Sequence, residues 1–529
     1  MNQVYWGDSH CNIVGFHFAE KRKMLLDTLD KAFEAASAHL DFFPVAYYPF
    51  FRYLKNGLEL ESSGHHPQFD DEWETIRAAV KRWNSPGKFI TFLGYEWHGD
   101  RETYGDHNVF YYDDGPLLAT ADLPELYSQV KEHNGIVIPH HTAYKVGMRG
   151  KDWRYFDEEL SPFAEIYSNH GSSEGCGTPV KMERNTMMGP RASGGSIQDG
   201  LACGYHFGFV GSSDNHENFA GAWNSGLMGV AAKELTKPAL WDAFKNRRVY
   251  GVTGDRIQVD YTINDAHMGS IIEETDGKNE RERNLFVDVT GSDEIDRIEV
   301  VKNNAVVHTF CHKDCFERSP GGKRVLFKQR VTMGWGPKDF GPQVKQWNGT
   351  LRVNGGTIIS VEPCFTAPEQ AYSIESDTKC SWTLHSKRAG LDSPFTLMPF
   401  SNQALIFEIE ADINAQLFYD ISGHHVKLSG QDIFRDSTIV ALTDEVEKLI
   451  KSEFGLNRDE IDHESRYWLS AYKAKIHRAV PSAGYQATVR WCDPRSNCTD
   501  KKRPEDFYYV RIIQSNGQAA WTSPVWIRK

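Results

Sequence analysis

Apolar and polar positions alternate with two different periods through the first half of the chain. Residues 4–12 (Val-Tyr-Trp-Gly-Asp-Ser-His-Cys-Asn) read as a strand whose end turns polar, with Asp8, His10 and Asn12 at every second position and so on one face. Over residues 20–39, Met24, Leu25, Leu29, Ala32, Phe33 and Ala36 recur at helical spacing. Residues 40–48 return to a buried strand, against which Pro44 argues. Residues 70–83 form an amphipathic helix with acidic residues at its start, where the helix dipole favours them. Strands follow at 88–96, 107–112, 135–141, 163–170 and 206–216, with helices at 123–133 and 238–247. Strands alternating with helices predict a parallel sheet with crossover connections. Polar residues recur at the C-terminal ends of these strands, which predicts a barrel with its active site at that rim.

Beyond about residue 255 the texture changes. Runs at 257–263, 284–289 and 298–301 are of strand length, separated by turn clusters, and predict an all-β, sandwich-like domain. Helical insertions are expected at 445–454 and 464–477, and a closing hairpin at 508–514 and 520–527 around Ser-Asn-Gly-Gln. The expected fold class is therefore α/β, a barrel over 1–254 followed by a β-rich domain over 255–529. A length of 529 residues agrees with two or three domains.

Composition narrows the function classes. A formal net charge of -13 leaves no basic stripe to neutralise phosphates, so a nucleic-acid partner is not expected, whereas a small anionic substrate needs only a few local cations. No apolar run approaches the roughly 18 residues that span a bilayer. No basic-then-apolar leader opens the sequence, so a cytoplasmic protein without a membrane partner is the expectation. The aromatic share of 12% fits well-packed β structure and a pocket that stacks on rings. Nine cysteines scattered over this length are not a disulfide scaffold. The close pairs Cys311/Cys315 and Cys492/Cys498 lack the second half of a standard zinc site. Asn348 and Asn497 match a glycosylation pattern and carry little weight.

Taken by strand end, the residues that could carry chemistry are Asp8, His10 and Asn12; Glu96; His107; His140; Glu165 and His170; Asp214 and His216. Barrel topology gathers such ends at one rim. Imidazole and carboxylate together suit zinc, iron or manganese, and a metal there lowers the pKa of a bound water to near 7, which gives a hydroxide nucleophile.

The ordered segments Gly-Asp-Ser-His-Cys-Asn, Gly94-Tyr-Glu-Trp, Gly105-Asp-His-Asn-Val, Ile138-Pro-His and Gly211-Ser-Ser-Asp-Asn-His resemble the successive motifs of the PHP (polymerase and histidinol phosphatase) superfamily. They most resemble its poorly characterised branch that opens Tyr-Trp-Gly-Asp, and the chain's ending is similar to that branch as well. The resemblance implies a distorted (β/α)7 TIM-like barrel for phosphoester hydrolysis. Carried over by motif, His10 and Asp214 would hold one metal, and Glu96 would bridge to a second held by His107 and His140. Asp8 would orient His10. Two positions depart from the pattern. Asn12 stands where a second histidine is usual, a weaker ligand through its amide oxygen, and Tyr48 replaces a ligand of the third metal, which leaves His216 without its partner. One or two divalent ions are expected rather than three.

Around this set, His98 and His170 are candidate general acids and Glu165 a candidate base or orienting group. His141 and the cations Lys181, Arg184 and Arg191 of the long Gly/Ser-rich stretch 171–204 are candidates to grip a phosphate, sulfate or carboxylate. Three functions follow. The first is a metal-dependent hydrolase whose metal-bound hydroxide attacks a small-molecule phosphoester. The second is a one- or two-metal enzyme acting on a carbohydrate or other non-phosphate substrate by hydrolysis or elimination. The third is a degenerate barrel with a binding role.

Overall fold

The first apolar run does not carry through to Asn12. In the computed structural model, which describes residues 3–15, 17–62, 66–182, 188–273, 282–318, 321–337, 339–388, 402–461, 465–494 and 504–528, strand β1 (Gln3–Gly7) stops before Asp8 and pairing resumes at β2 (Cys11–Ile13). Both run parallel to β3 (Phe42–Tyr47), with Gly7 opposite Phe42 and Cys11 opposite Val45. Pro44 falls opposite the gap between these two pairings, so its missing N–H deprives no ladder on that side.

Residues 19–39 form two helices, α1 (Ala19–Asp27) and α2 (Leu29–Ser37), divided at Thr28. The hairpin of β4 (Arg52–Lys55) and β5 (Leu58–Glu61) precedes α3 (Pro67–Trp83), which buries Phe69, Trp73, Ile76 and Val80. Next come β6 (Ile90–Trp97), the single turn α4 (Arg101–Tyr104), β7 (His107–Tyr111), α5 (Leu123–Glu132) and β8 (Gly135–Pro139). After β9 (Phe163–Ser168), β10 (Gly171–Ser172), α6 (Ile197–Ala202) and β11 (Gly208–Gly211), the half closes with β12 (Leu227–Ala232), α7 (Lys237–Lys245) and β13 (Val249–Val252).

The parallel expectation holds for β1, β3 and β6 and for β9 with β11. It fails at β7, which is antiparallel to both β6 and β8. The link from β6 to β7 holds a single helical turn, shorter than the dozen or so residues a parallel crossover requires. Reversal of β7 brings its first residue, His107, beside Trp97 and Pro139, at the edge where β6 and β8 end. The sequence pattern also misses β12 and β13, because Gly229 and Gly251 interrupt short apolar runs. Both glycines are required by close approach: a Cβ on Gly229 would lie 2.5 Å from the Tyr250 ring, and one on Gly251 would lie 2.6 Å from the Gly211 nitrogen.

The chain divides differently from a cut after Gly254. One compact unit comprises Met1–Thr290, Asp296–Cys311 and Thr488–Lys529, and the other Gly291–Ile295 and His312–Ala487. The C-terminal hairpin returns to the first sheet, pairing Tyr250 with Thr522 and Val252 with Ala520. A buried carboxylate ties it to the loop after β10: Glu174 accepts from Tyr509 Oη (2.8 Å), Trp521 Nε1 (2.8 Å) and Arg511 Nη1 (2.6 Å).

His206 makes a second tie, to Glu158 at 3.2 Å and Glu505 at 2.9 Å. Burial works against its charge, but these hydrogen bonds outweigh burial and push its pKa up to about 9. The contribution is complete below the unfolded value of about 6.5 and is lost as pH rises through about 9. With Glu158 41% exposed, solvent screening reduces it to about 1–2 kcal/mol. Thermal unfolding should therefore show a loss of stability between about pH 6.5 and about pH 9.5. His206→Gln should flatten that slope, and an unchanged slope would count against the assignment.

In the other unit, the described strands form one nine-stranded sheet rather than two separate ones, built on Val344–Cys364 against Gln403–Ile421. Helix Thr443–Phe454 matches expectation. The second insertion is shorter than expected: the helix covers Ser465–Ser470, and Tyr472–Ile476 is a strand whose Tyr472, Ala474 and Ile476 alternate into the interior. Cys498 and Asn497 lie outside the described residues. Among the described residues, no helix is long and apolar enough to cross a membrane.

Candidate metal centre

Five connections end at one rim, and each delivers a polar side chain that is buried. The break after β1 carries Asp8, His10 and Asn12, the end of β6 carries Glu96, and the turn after β8 carries His140 and His141. Strand β9 carries Glu165, His170 follows it, and Asp214 follows β11. Each of these side chains is 5% exposed or less. Asp214 (φ 51°) and His141 (φ 32°) adopt the left-handed conformation, which aspartate tolerates and histidine visits only when held there.

His10 is the best-held member. Its Nδ1 lies 2.7 Å from Glu165 Oε2, and Glu165 also accepts from Ser212 Oγ (2.7 Å) and the His141 N–H (3.0 Å). This arrangement turns His10 Nε2 inward. Asp8, expected to orient the His10 ring, instead braces the backbone. It accepts from the N–H groups of His10 (3.0 Å), Ser213 (2.9 Å) and Gly221 (2.7 Å) and from Ser213 Oγ. The orienting carboxylate is therefore Glu165, within β9.

Around His10 Nε2 stand Asp214 Oδ1 at 3.4 Å and Glu96 Oε2 at 3.5 Å, while His140 Nε2 lies 3.8 Å from Glu96 Oε1. The His10 and His140 rings are 4.0 Å apart. Among the described residues, His10 Nε2, Glu96 Oε2 and both ring nitrogens of His140 are buried without a hydrogen-bond partner. Buried polar atoms left without hydrogen-bond partners are costly. The residues fit a divalent cation, and His10, His140 and Glu165 each place one ligand atom within 4.8 Å of the other two. The electrostatics agree. Burial opposes charge on His10, but Asp214 and Glu165 raise its pKa well above the ordinary value. Burial and the neighbouring imidazoles push His140 and His141 well below theirs, so they are neutral bases.

His107 is turned away from this group. Directly opposite residues of an antiparallel pair share a face. Glu96 lies opposite Asn108, and Trp97 lies opposite His107. His107 therefore shares its face with Trp97, whose ring is 5.8 Å away, and its Nε2 meets the buried Lys151 Nζ at 3.1 Å. Asn108 stands on the Glu96 face, donates to the Ser9 carbonyl at 3.2 Å, and leaves Oδ1 without a partner among the described residues. Parity along β7, once its direction is known, identifies Asn108 as the inward residue.

Asn12 presents its NH2 rather than its oxygen to the cluster, 3.3 Å from Asp214 Oδ1 and 3.2 Å from His216 Nε2. His216 is 29% exposed, with Nδ1 3.1 Å from the Asp214 carbonyl and its ring 5.5 Å from Tyr48. His98 is fully engaged. Its Nε2 hydrogen-bonds Glu96, its Nδ1 lies 3.1 Å from Glu61, and its ring stacks on Phe50 at 4.4 Å. His170 Nε2 lies 2.7 Å from Asp214 Oδ2, and its Nδ1 lies 2.6 Å from Tyr144 Oη.

The expected anion grip from the long loop is not what the rim presents. Arg191 hydrogen-bonds the carbonyls of Ser172 (3.1 Å), Val180 (2.8 Å) and Gly175 and so knits the loop, because the glycine-rich turns leave those carbonyls unpaired by strands. Lys181 is exposed, and Arg184 lies outside the described residues. Two other arginines stand near His141. Arg101 Nε and Arg149 Nε both donate to buried Asp106, at 2.5 and 2.6 Å, and Asp106 Oδ2 also lies 3.4 Å from His141 Nε2. Arg149 is 32% exposed and left-handed (φ 78°), and its terminal nitrogens have no partner among the described residues. A positive φ at a non-glycine gives no sequence signal, so it was not legible beforehand.

The family profile described as "Protein of unknown function (DUF3604)" matches residues 20–134 and 220–278. Uncharacterized proteins of Chlamydia pneumoniae and Chlamydia muridarum are 28% identical over 259 residues and 27% identical over 255 residues. The first match covers 45% of this chain and 41% of the relative, the second 45% and 40%, so the chain spans about two fifths of the relatives' length. A Chlamydia trachomatis relative is 26% identical, covering 46% and 41%. A crystal structure described as a two-domain protein containing a predicted PHP-like metal-dependent phosphoesterase from Bacteroides vulgatus is 10% identical, covering 81% of this chain and 95% of that one, with a TM-score of 0.31.

Proposed function

We propose that the chain is a metal-dependent hydrolase acting on a small-molecule phosphoester, on a distorted (β/α)7 barrel. One observation carries this reading: unpartnered buried polar atoms of His10, Glu96 and His140 converge with Asp214. These four residues would hold a divalent transition metal such as manganese, zinc or iron. Such an ion supplies Lewis acidity toward an ester oxygen and activates water at neutral pH.

The chain's own groups do the rest. Glu165 fixes the His10 ring through Nδ1. Arg149, anchored by Asp106, offers both terminal nitrogens to an anionic group. His216, at 29% exposure, is placed to exchange a proton with solvent. The side chains of His98 and His170 are buried and held at both nitrogens, which suits positioning better than proton transfer. The net charge of -13 favours a small anion over a nucleic acid. Tyr48 at the third-metal position favours a second reading, a non-phosphate ester or carbohydrate substrate.

The test is elemental analysis of purified protein, then phosphomonoesters, phosphodiesters and glycosides assayed side by side with and without chelator. Phosphoester hydrolysis should fall by at least about 100-fold on chelation and return with metal. Turnover of glycosides alone selects the second reading, and protein without transition metal overturns both.

A further inference from the structure

The first group leaves a second set of side chains unexplained, on the other side of Asp214. His141, His170 and Asp214 each place one donor atom within 4.8 Å of the other two, and they are 2%, 5% and 3% exposed. Each imidazole has one nitrogen committed outward. His170 Nδ1 pairs with Tyr144 Oη at 2.6 Å, and His141 Nε2 faces Asp106 Oδ2 at 3.4 Å. The inward nitrogens are His170 Nε2, 2.7 Å from Asp214 Oδ2, and His141 Nδ1, which is buried with no partner among the described residues. This is how metal-binding histidines are held, with an outer partner fixing the tautomer and the lone pair turned to the ion.

The backbone supports the same conclusion. His141 is left-handed (φ 32°), and its N–H is bound by Glu165 Oε1 at 3.0 Å. Glu165 is also the carboxylate that orients His10. One buried side chain therefore sets both the ring of His10 and the backbone of His141. A left-handed, non-glycine residue held this way marks a position where the surroundings demand its side chain. The rings of His140 and His141 are 4.3 Å apart, so consecutive residues serve the two groups from one strand end.

We infer that His141, His170 and Asp214 form a second divalent-cation site, with Asp214 shared: Oδ1 faces His10, and Oδ2 faces His170. Two histidines and one carboxylate are a donor set for first-row divalent ions that leaves further positions open. The inference rests on the metal-centre reading only through the shared Asp214.

The experiment is metal counting on dialysed, manganese-loaded full-length protein, with electron paramagnetic resonance as a second readout. Wild type should bind two ions per chain and show exchange-coupled lines from ions bridged by one carboxylate. His10→Ala and His170→Ala should each retain one ion and lose the coupling. Tyr144→Phe, which leaves every donor in place, should weaken one ion by about 10- to 100-fold and not the other. It decides the matter if His170→Ala fails to fold. Two ions retained in His170→Ala, with Tyr144→Phe unchanged, overturn the second site. A single wild-type ion lost in His10→Ala but kept in His170→Ala overturns it while leaving the first site standing. An ion lost only in His170→Ala overturns the first site instead, and a chain that binds none overturns both.

Discussion

Asp214→Asn is expected to lower phosphoester hydrolysis by at least about 1000-fold and to remove stoichiometric metal. Several kcal/mol of transition-state stabilisation from a Lewis acid correspond to about that factor. The substitution is nearly isosteric, and asparagine accepts the left-handed backbone that Asp214 adopts at φ 51°. The fold should therefore survive, and the effect reports charge. Burial opposes ionisation of Asp214, but His10 and His170 outweigh it and hold the carboxyl well below the usual range, so it is an anion at neutral pH. Its two oxygens face His10 and His170. Two measurements check the prediction. Elemental analysis should fall from stoichiometric to trace, and the rise in melting temperature that added metal gives the wild type should vanish, since an ion bound only to the folded state stabilises by mass action. Activity within tenfold of wild type would remove Asp214 from the centre.

What could be read ahead of the structure follows from what sequence encodes locally. Strand ends were legible because apolar runs stop at Glu96, Pro139 and Ser168 and polar residues follow. His10, Glu96, His140 and Asp214, read from such ends, lie near one another in the fold. Roles that depend on direction were not legible. His107 was chosen as a ligand by motif, but β7 runs antiparallel to β6, and the pairing of Glu96 with Asn108 gives the inward position to the next residue. Asp8 and Glu165 exchanged roles for a related reason. The partner of a ring nitrogen depends on contacts 155 residues apart, which no local pattern carries. Strands after Gly254 look alike in pattern whichever sheet they join, so the division into the two units is not legible there. The pairing of Val252 with Ala520 fixes the C-terminal hairpin to the first sheet.

Arg149 gives the second large effect. Arg149→Ala should lower kcat/KM for a phosphomonoester by about 100-fold, mainly through KM, since two charge-assisted hydrogen bonds to an anion are worth a few kcal/mol. Arg149→Lys should recover only part of the loss, because an ammonium cannot offer two parallel N–H groups. An uncharged ester should be hydrolysed equally by wild type and both variants. Asp106 keeps Arg101 at 2.5 Å in each variant, so the rim should hold. The backbone supplies a control that separates function from packing. At φ 78° an alanine keeps the left-handed strain and a glycine does not, so Arg149→Gly should be about 1 kcal/mol more stable than Arg149→Ala by thermal unfolding while equally impaired on the phosphomonoester. A residue that costs stability where it stands and gains affinity for an anion is retained for binding. If Arg149→Gly left KM unchanged, the anion would have to be held elsewhere on the rim, and the guanidinium pair on Asp106 would be a structural clasp.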